Sequence, residues 1–173
     1  MNMPMNAPVK HHQRIDGTTV LIADDNDAMR LLLKEALEQW GFHVVETKDG
    51  EEAWEVMQQP NPPRLLILDW RMPKLDGIAL CERIRQQLNF YPYIIFLSQV
   101  SGVENLLKGF DAGADEFLLK PVNFKELRSR LVAGEKILEF ITIIDEKNKQ
   151  LKGAAARIAE LEQSVETLRK STE

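Results

Sequence analysis

From residue 17 onward, short apolar runs rich in branched side chains alternate with stretches of helical period, and the alternation repeats five times. Thr18 to Ala23 (TTVLIA) reads as a strand buried on both faces. Ala28 to Trp40 follows as a helix that can place Leu32, Leu33, Ala36, Leu37 and Trp40 on one face, with Gly41 as its stop. His43 to Thr47 is a second, weaker strand. Glu51 to Gln58 is a short helix presenting Ala53, Trp54 and Met57 before Pro60, Pro62 and Pro63 break the chain. Leu65 to Leu68 (LLIL) is the third strand, and a proline-bearing loop leads to a helix from Ile78 to about Gln87. Tyr93 to Leu97 (YIIFL) is the fourth strand, Val103 to Asp111 a helix ended by Gly113, and Glu116 to Leu119 (EFLL) a fifth strand stopped at Pro121.

Strands joined by helices need crossovers, which are right-handed, so the pattern predicts an α/β domain with a parallel sheet covered by helices on both faces. From Asn123 the chain turns helical and changes in kind. Ile137, Ile144, Leu151, Ile158 and Val165 recur every seven residues, with Phe140, Lys147, Ala154, Leu161 and Leu168 three positions further on. That is a heptad pattern, and branched residues at the first core position with leucines at the second favour two parallel strands. Lys147 is the flaw in this register. An alternative frame through Ile137, Ile141, Ile144, Asn148 and Leu151 puts Asn148 in the core and needs a shift near Ala154 and Ala155. More than three heptads is long for a helix folded back on its own domain, so residues 137–168 are expected to form a parallel homodimer. The expected organisation is a leader over residues 1–16, a globular domain over 17–130 and a coiled-coil helix over 131–173 that continues the fifth helix.

Composition narrows the function classes. Apolar residues make up 44% and charged residues 28% of 173, which suits a packed core rather than wholesale disorder. The formal net charge is -5, and the tail from Asn123 interleaves ten Lys and Arg with nine Asp and Glu, so neither suggests a nucleic-acid partner. Cys81 is the only cysteine, which rules out an intramolecular disulfide framework and reads as a small buried hydrophobe. No apolar run reaches 18 residues and the leader has no signal-like apolar stretch, so a cytoplasmic protein without membrane insertion is expected. His11 and His12 lie in that leader and read as solvated rather than metal-binding.

The candidate chemistry collects at strand ends. Asp24 and Asp25 follow the first strand and Asp69 follows the third, so all three carboxylates emerge at the carboxyl edge of the sheet, where open α/β sheets bind ligands. Adjacent strands lie roughly 4.8 Å apart, close enough for Asp25 and Asp69 to share a point. Uncompensated, the acids would repel and some would protonate. A divalent cation of the Mg2+ type, bound by carboxylates and water, removes the difficulty. Ser98 after the fourth strand and Lys120 after the fifth bring a hydroxyl and an ammonium to the same edge. Such a set suits phosphoryl transfer, with Asp69 on a central strand as nucleophile and Asp24 and Asp25 holding the metal. Taken singly, each residue has an ordinary role: a helix cap, a turn former or a solvated charge. Four successive placements at one edge are what single out the chemistry.

These residues resemble the receiver domain of two-component response regulators from about Thr18 to Arg130. The resemblance is carried by LIADDN (Leu21 to Asn26), LDWRMPKLDG (Leu68 to Gly77), LS (Leu97, Ser98) and GADEFLLKP (Gly113 to Pro121). It implies a flavodoxin-like fold with strand order 2-1-3-4-5, and a signalling switch rather than an enzyme. Asp69 would be the phospho-acceptor, served by a histidine kinase or histidine phosphotransfer protein. Asp24, Asp25 and Asp69 with the backbone carbonyl of Arg71 would bind Mg2+, Lys120 would pair with the phosphoryl group, and Ser98 would hydrogen-bond one of its oxygens. Phe117 would swing from outward to buried as the switch is thrown, and Pro121 would follow a cis peptide bond.

Three positions depart from the family pattern. Arg71 is bulkier than the small polar residue frequent there, with an expected effect on dephosphorylation rate. Gln99 stands where a small residue usually follows the switch hydroxyl, restricting access to Asp69. Phe117 lacks the hydroxyl of the commoner tyrosine. A haloacid dehalogenase-type phosphatase would need a second Asp at position 71, dinucleotide binding would need glycines where Asp24 and Asp25 stand, and no phosphate loop of the GxxxxGK[ST] type occurs. The remaining alternatives are a receiver-like dimeric scaffold that is never phosphorylated, or the regulatory part of a larger enzyme whose output domain is absent.

Overall fold

The computed structural model describes residues 18–99 and 103–170. Its strands are β1 (Thr19–Ala23), β2 (His43–Thr47), β3 (Leu65–Asp69), β4 (Tyr93–Ser98) and β5 (Glu116–Leu119). They alternate with helices α1 (Asp27–Gln39), α2 (Gly50–Met57), α3 (Gly77–Gln87), α4 (Val103–Asp111) and α5 (Phe124–Lys170). The leader expected over residues 1–16, including His11 and His12, lies outside the described residues.

All strand pairs are parallel and the order is β2-β1-β3-β4-β5, the flavodoxin-like arrangement the resemblance implied. Every residue of β3 and β4 is buried, as their unbroken apolar runs require of central strands covered on both faces. Edge strand β2 is only partly buried, which explains its weak signal. The core on one face packs Leu21, Ala23, Leu66, Leu68, Ile94 and Phe96 of the sheet against Ala53, Met57, Leu80 and Ile84 of the helices. Cys81 belongs to this cluster; burial pushes its thiol up to about 12, and the thiol donates to the Ala112 carbonyl at 3.2 Å.

Local chemistry fixes where the helices begin. Asn26, Asp49 and Asp76 each cap a helix by accepting the amide of the residue three further on, Met29, Glu52 and Ala79, at 2.8 to 3.0 Å. Gly41 and Gly113 follow α1 and α4 with φ of 86° and 98°, left-handed values that side chains resist. The sequence-based boundaries shift by a residue in two places that matter. Asp69 and Ser98 are the last residues of β3 and β4 rather than the first of the loops. The ladder extends past both, because the Trp70 amide donates to Leu97 O at 2.9 Å and the Lys120 amide to Ser98 O at 2.8 Å.

The chain divides into two units, one up to Leu131 and one from Val132 to Glu173. The second is helical as far as Lys170. Within it, Ile137, Phe140, Ile144, Leu151, Ile158, Leu161, Val165 and Leu168 are all exposed. No helix among the described residues is long and apolar enough to cross a membrane.

Candidate functional site

The register of the sheet assembles the site. Ala23 pairs with Leu68, so Asp24, one residue beyond β1, sits level with Asp69 at the end of β3. The Asp24 amide donates to Thr47 O at 3.3 Å, and Arg30 Nη1 reaches back from α1 to the Asp24 carbonyl at 2.7 Å. The β1–α1 turn is therefore held from both sides. Asp24 is fully buried, Asp69 nearly so, and Asp25 exposed. Carboxylate oxygens of Asp24, Asp25 and Asp69 lie within 4.8 Å of one another.

Lys120 enters this cluster from β5. Its Nζ donates to Asp24 Oδ2 at 2.7 Å and lies 3.0 Å from Asp69 Oδ1. Its backbone is set by the bond to Ser98 O and by the cis Lys120–Pro121 peptide, the isomer that was expected. Burial works against the ammonium, but hydrogen bonds and charge from Asp24 and Asp69 outweigh it and raise its pKa above the ordinary lysine value. Asp69 is pushed the opposite way for an acid. Burial and then the charge of Asp24 raise its carboxyl above the usual aspartate range, with Lys120 only partly compensating. Of the three clustered acids, the Lys120 ammonium thus contacts two, Asp24 and Asp69.

Glycine makes the close packing at the end of β3 possible. A Cβ on Gly77, the first residue of α3, would stand 2.2 Å from the Asp69 carbonyl oxygen and 2.9 Å from the Phe96 ring. Only a residue without a side chain lets α3 start this close to the end of β3.

Asp24, Asp25, Asp69 and Lys120 are thus brought together. Ser98 is fully buried at the end of the next strand, one residue beyond the Asp69–Leu97 pair. Arg71 is exposed, and among the described residues no hydrogen bond reaches its carbonyl. Gln99 is exposed as well. Phe117 stands outside the carboxylate cluster and is half-buried, edge-on to Trp70 with ring centroids 5.8 Å apart. Trp70 in turn packs against Phe96 at 5.5 Å, and Gly109 of α4 lies against its ring. Sequence reasoning missed Trp70 as the side chain joining the residue after Asp69 to Phe117. An aromatic directly after the strand-end acid was the available signal. It also missed Arg30, whose grip on the Asp24 carbonyl spans six residues.

Comparison with known proteins agrees with the geometry. The response regulator receiver domain model matches residues 20–132. A probable transcriptional regulator ycf27 of Cyanophora paradoxa is 36% identical over 117 residues, covering 68% of this chain and 48% of that protein. The alkaline phosphatase synthesis transcriptional regulatory protein PhoP of Bacillus subtilis is 33% identical over 135 residues, covering 78% of this chain and 55% of that one. The chain thus spans about half the length of the curated relatives it matches. Among solved structures, the Francisella response regulator 1452 receiver domain superposes with a TM-score of 0.65 at 34% identity, covering 69% of this chain and 97% of that one. Chemotaxis protein CheY4 of Vibrio cholerae gives 0.61 at 28% identity, with 68% and 98% covered. Since the matched span takes in most of the chain and every acid and cation at the carboxyl edge, this chain belongs to the response regulator receiver domain family of two-component signalling.

Proposed function

We propose that the chain is a phosphorylation-dependent switch in which Asp69 accepts a phosphoryl group from a phosphohistidine on a histidine kinase or histidine phosphotransfer protein. The observation that carries this reading is the Lys120 ammonium, hydrogen-bonded to Asp24 and Asp69 where three carboxylates converge. A carboxylate oxygen of Asp69 attacks phosphorus, the phosphorus–nitrogen bond breaks, and the donor imidazole leaves and takes up a proton. The product is an aspartyl phosphate. Lys120 Nζ neutralises charge on one phosphoryl oxygen, and the Ser98 hydroxyl donates to another.

The donor set fits Mg2+. Three carboxylates are clustered and only two of them touch the Lys120 ammonium, the ionisation of Asp69 is opposed, and all the candidate ligands are oxygens. Asp24, Asp25, Asp69 and the Arg71 carbonyl would hold the ion, which supplies charge neutralisation on the phosphoryl oxygens. The chain would assist only its own phosphorylation and dephosphorylation. Its exposed heptad positions between Ile137 and Leu168 support a parallel homodimer. Rearrangement of Ser98, Phe117 and the neighbouring surface of α4, β5 and the start of α5 would carry the signal.

Labelling with a small acyl phosphate and Mg2+, followed by intact-mass measurement, tests the assignment. Wild type is expected to gain one phosphoryl group and Asp69→Asn none. Equal labelling of the two moves the acceptor to a residue other than Asp69, and labelling of neither leaves a dimeric scaffold.

A further inference from the structure

Asp49 is buried at the N-terminus of α2, and its two oxygens do different work. Oδ1 accepts the Glu52 amide at 2.9 Å and caps the helix. Oδ2 leaves α2 altogether and meets Lys74 Nζ at 2.6 Å. A cap needs no charge, as Asn26 shows at the start of α1. The second oxygen, and the burial of an acid there, therefore require another explanation.

Lys74 supplies one. It lies in the loop between β3 and α3, five residues after Asp69 and three after Arg71, with φ of 63°, a left-handed value costly for a residue with a Cβ. Its neighbour Leu75 closes a tight turn by donating to Pro73 O at 2.8 Å. The same loop presses against α2 at the next residue, where a Cβ on Gly50 would stand 2.0 Å from the Leu75 carbonyl oxygen. Asp49 and Gly50 together form the seat against which this loop is held, one by charge and one by close approach.

We infer that Asp49 is a positioning residue which, through Lys74, fixes the β3–α3 loop and with it the Arg71 carbonyl for the divalent cation. The inference rests on the Mg2+ site proposed above. Met72, 9% exposed, plugs the loop into the core on the side of Arg71 nearer Lys74, so the Lys74 tether and the Met72 plug act on the same short segment. Releasing the tether loosens the loop and lets the Arg71 carbonyl drift, while the Asp24, Asp25 and Asp69 carboxylates stay where the β1–α1 turn and the end of β3 hold them.

The test is titration of Mg2+ into the metal-free full chain by calorimetry, alongside melting in chelator. Asp49→Asn keeps the cap and removes the charge. Lys74→Gly removes the tether and also relieves the left-handed strain, so its metal-free melting temperature is expected to hold. Each variant is expected to bind Mg2+ about tenfold more weakly, as loss of an outer-sphere support does elsewhere. The double variant should be no worse than either alone, and Lys74→Arg should restore wild-type binding. Asp49→Asn and Lys74→Gly that bind Mg2+ as wild type does, with only melting altered, reduce Asp49 to a helix cap and overturn the inference alone. A wild-type chain whose Mg2+ binding does not depend on Asp24 and Asp25 overturns it together with the metal site it rests on.

Discussion

An ionised Asp69 is opposed by its own burial and by Asp24, and the single Lys120 ammonium is divided between the two acids. A raised native pKa means that the folded state holds a proton the unfolded state has already released. Stability is therefore lost as pH rises from the ordinary aspartate value through the raised one, and the cost persists at neutral pH. In chelator, Asp69→Asn should be more stable than wild type at pH 7, and the gap should close as the solution is acidified; denaturant titrations across pH 3 to 8 read this directly. Asp49 has the opposite sign. The Lys74 hydrogen bond, then the Glu52 amide, hold its carboxyl below the usual range. Its contribution is present above the ordinary aspartate value and disappears as pH falls through the native one, so Asp49→Asn should cost stability at pH 7 and little at pH 2. The four groups of the cluster were legible in the sequence because each stands at the end of an apolar run. The Asp49–Lys74 tether was not, because 25 positions separate its partners and neither stands at the end of a strand.

At the level of elements, strand ends and capped helix starts do the positioning. Gly77→Ala would drive a methyl into the Asp69 carbonyl and the Phe96 ring, both of which are fixed within the core. It should destabilise the fold by about 3 kcal/mol, the upper part of the range for overpacking, and reduce acyl-phosphate labelling beyond what the stability loss explains. Labelling rates compared at matched fractions folded separate the two effects. The five strands were readable because β3 and β4 are apolar without interruption and because Pro121 and Gly113 punctuate the last turn. The single-residue shifts at Asp69 and Ser98 were not readable, since they depend on bonds from Trp70 and Lys120 to neighbouring strands. Phe117 was legible only through family resemblance; nothing in its own spacing marks it as the edge-on neighbour of Trp70.

For the molecule as a whole, the unit from Val132 exposes a stripe of large apolar side chains, which monomers rarely tolerate at this length. Sedimentation of the full chain should give a dimer, and Ile158→Asp combined with Leu161→Asp should give a monomer that still accepts phosphate at Asp69. Disulfide cross-linking of single cysteines placed from Ile137 to Leu168, with and without beryllofluoride, should change in pattern if the two receivers repack around the coil; an identical pattern would show that the helix only holds two switches together. The heptad repeat made this tail legible as a helix, while Lys147 and Asn148 left its register open, because each of the two frames places one polar residue in the apolar stripe. Trp70 has a consequence of another kind. An indole on the residue that follows the proposed phospho-acceptor in the chain, and boxed in by Phe96 and Phe117, is a light-emitting label that the chain supplies itself. With Trp40 and Trp54 replaced by phenylalanine, its emission should follow each turn of the switch in real time, and the lifetime of the signal becomes a quantity that can be read in a cuvette without dye or isotope.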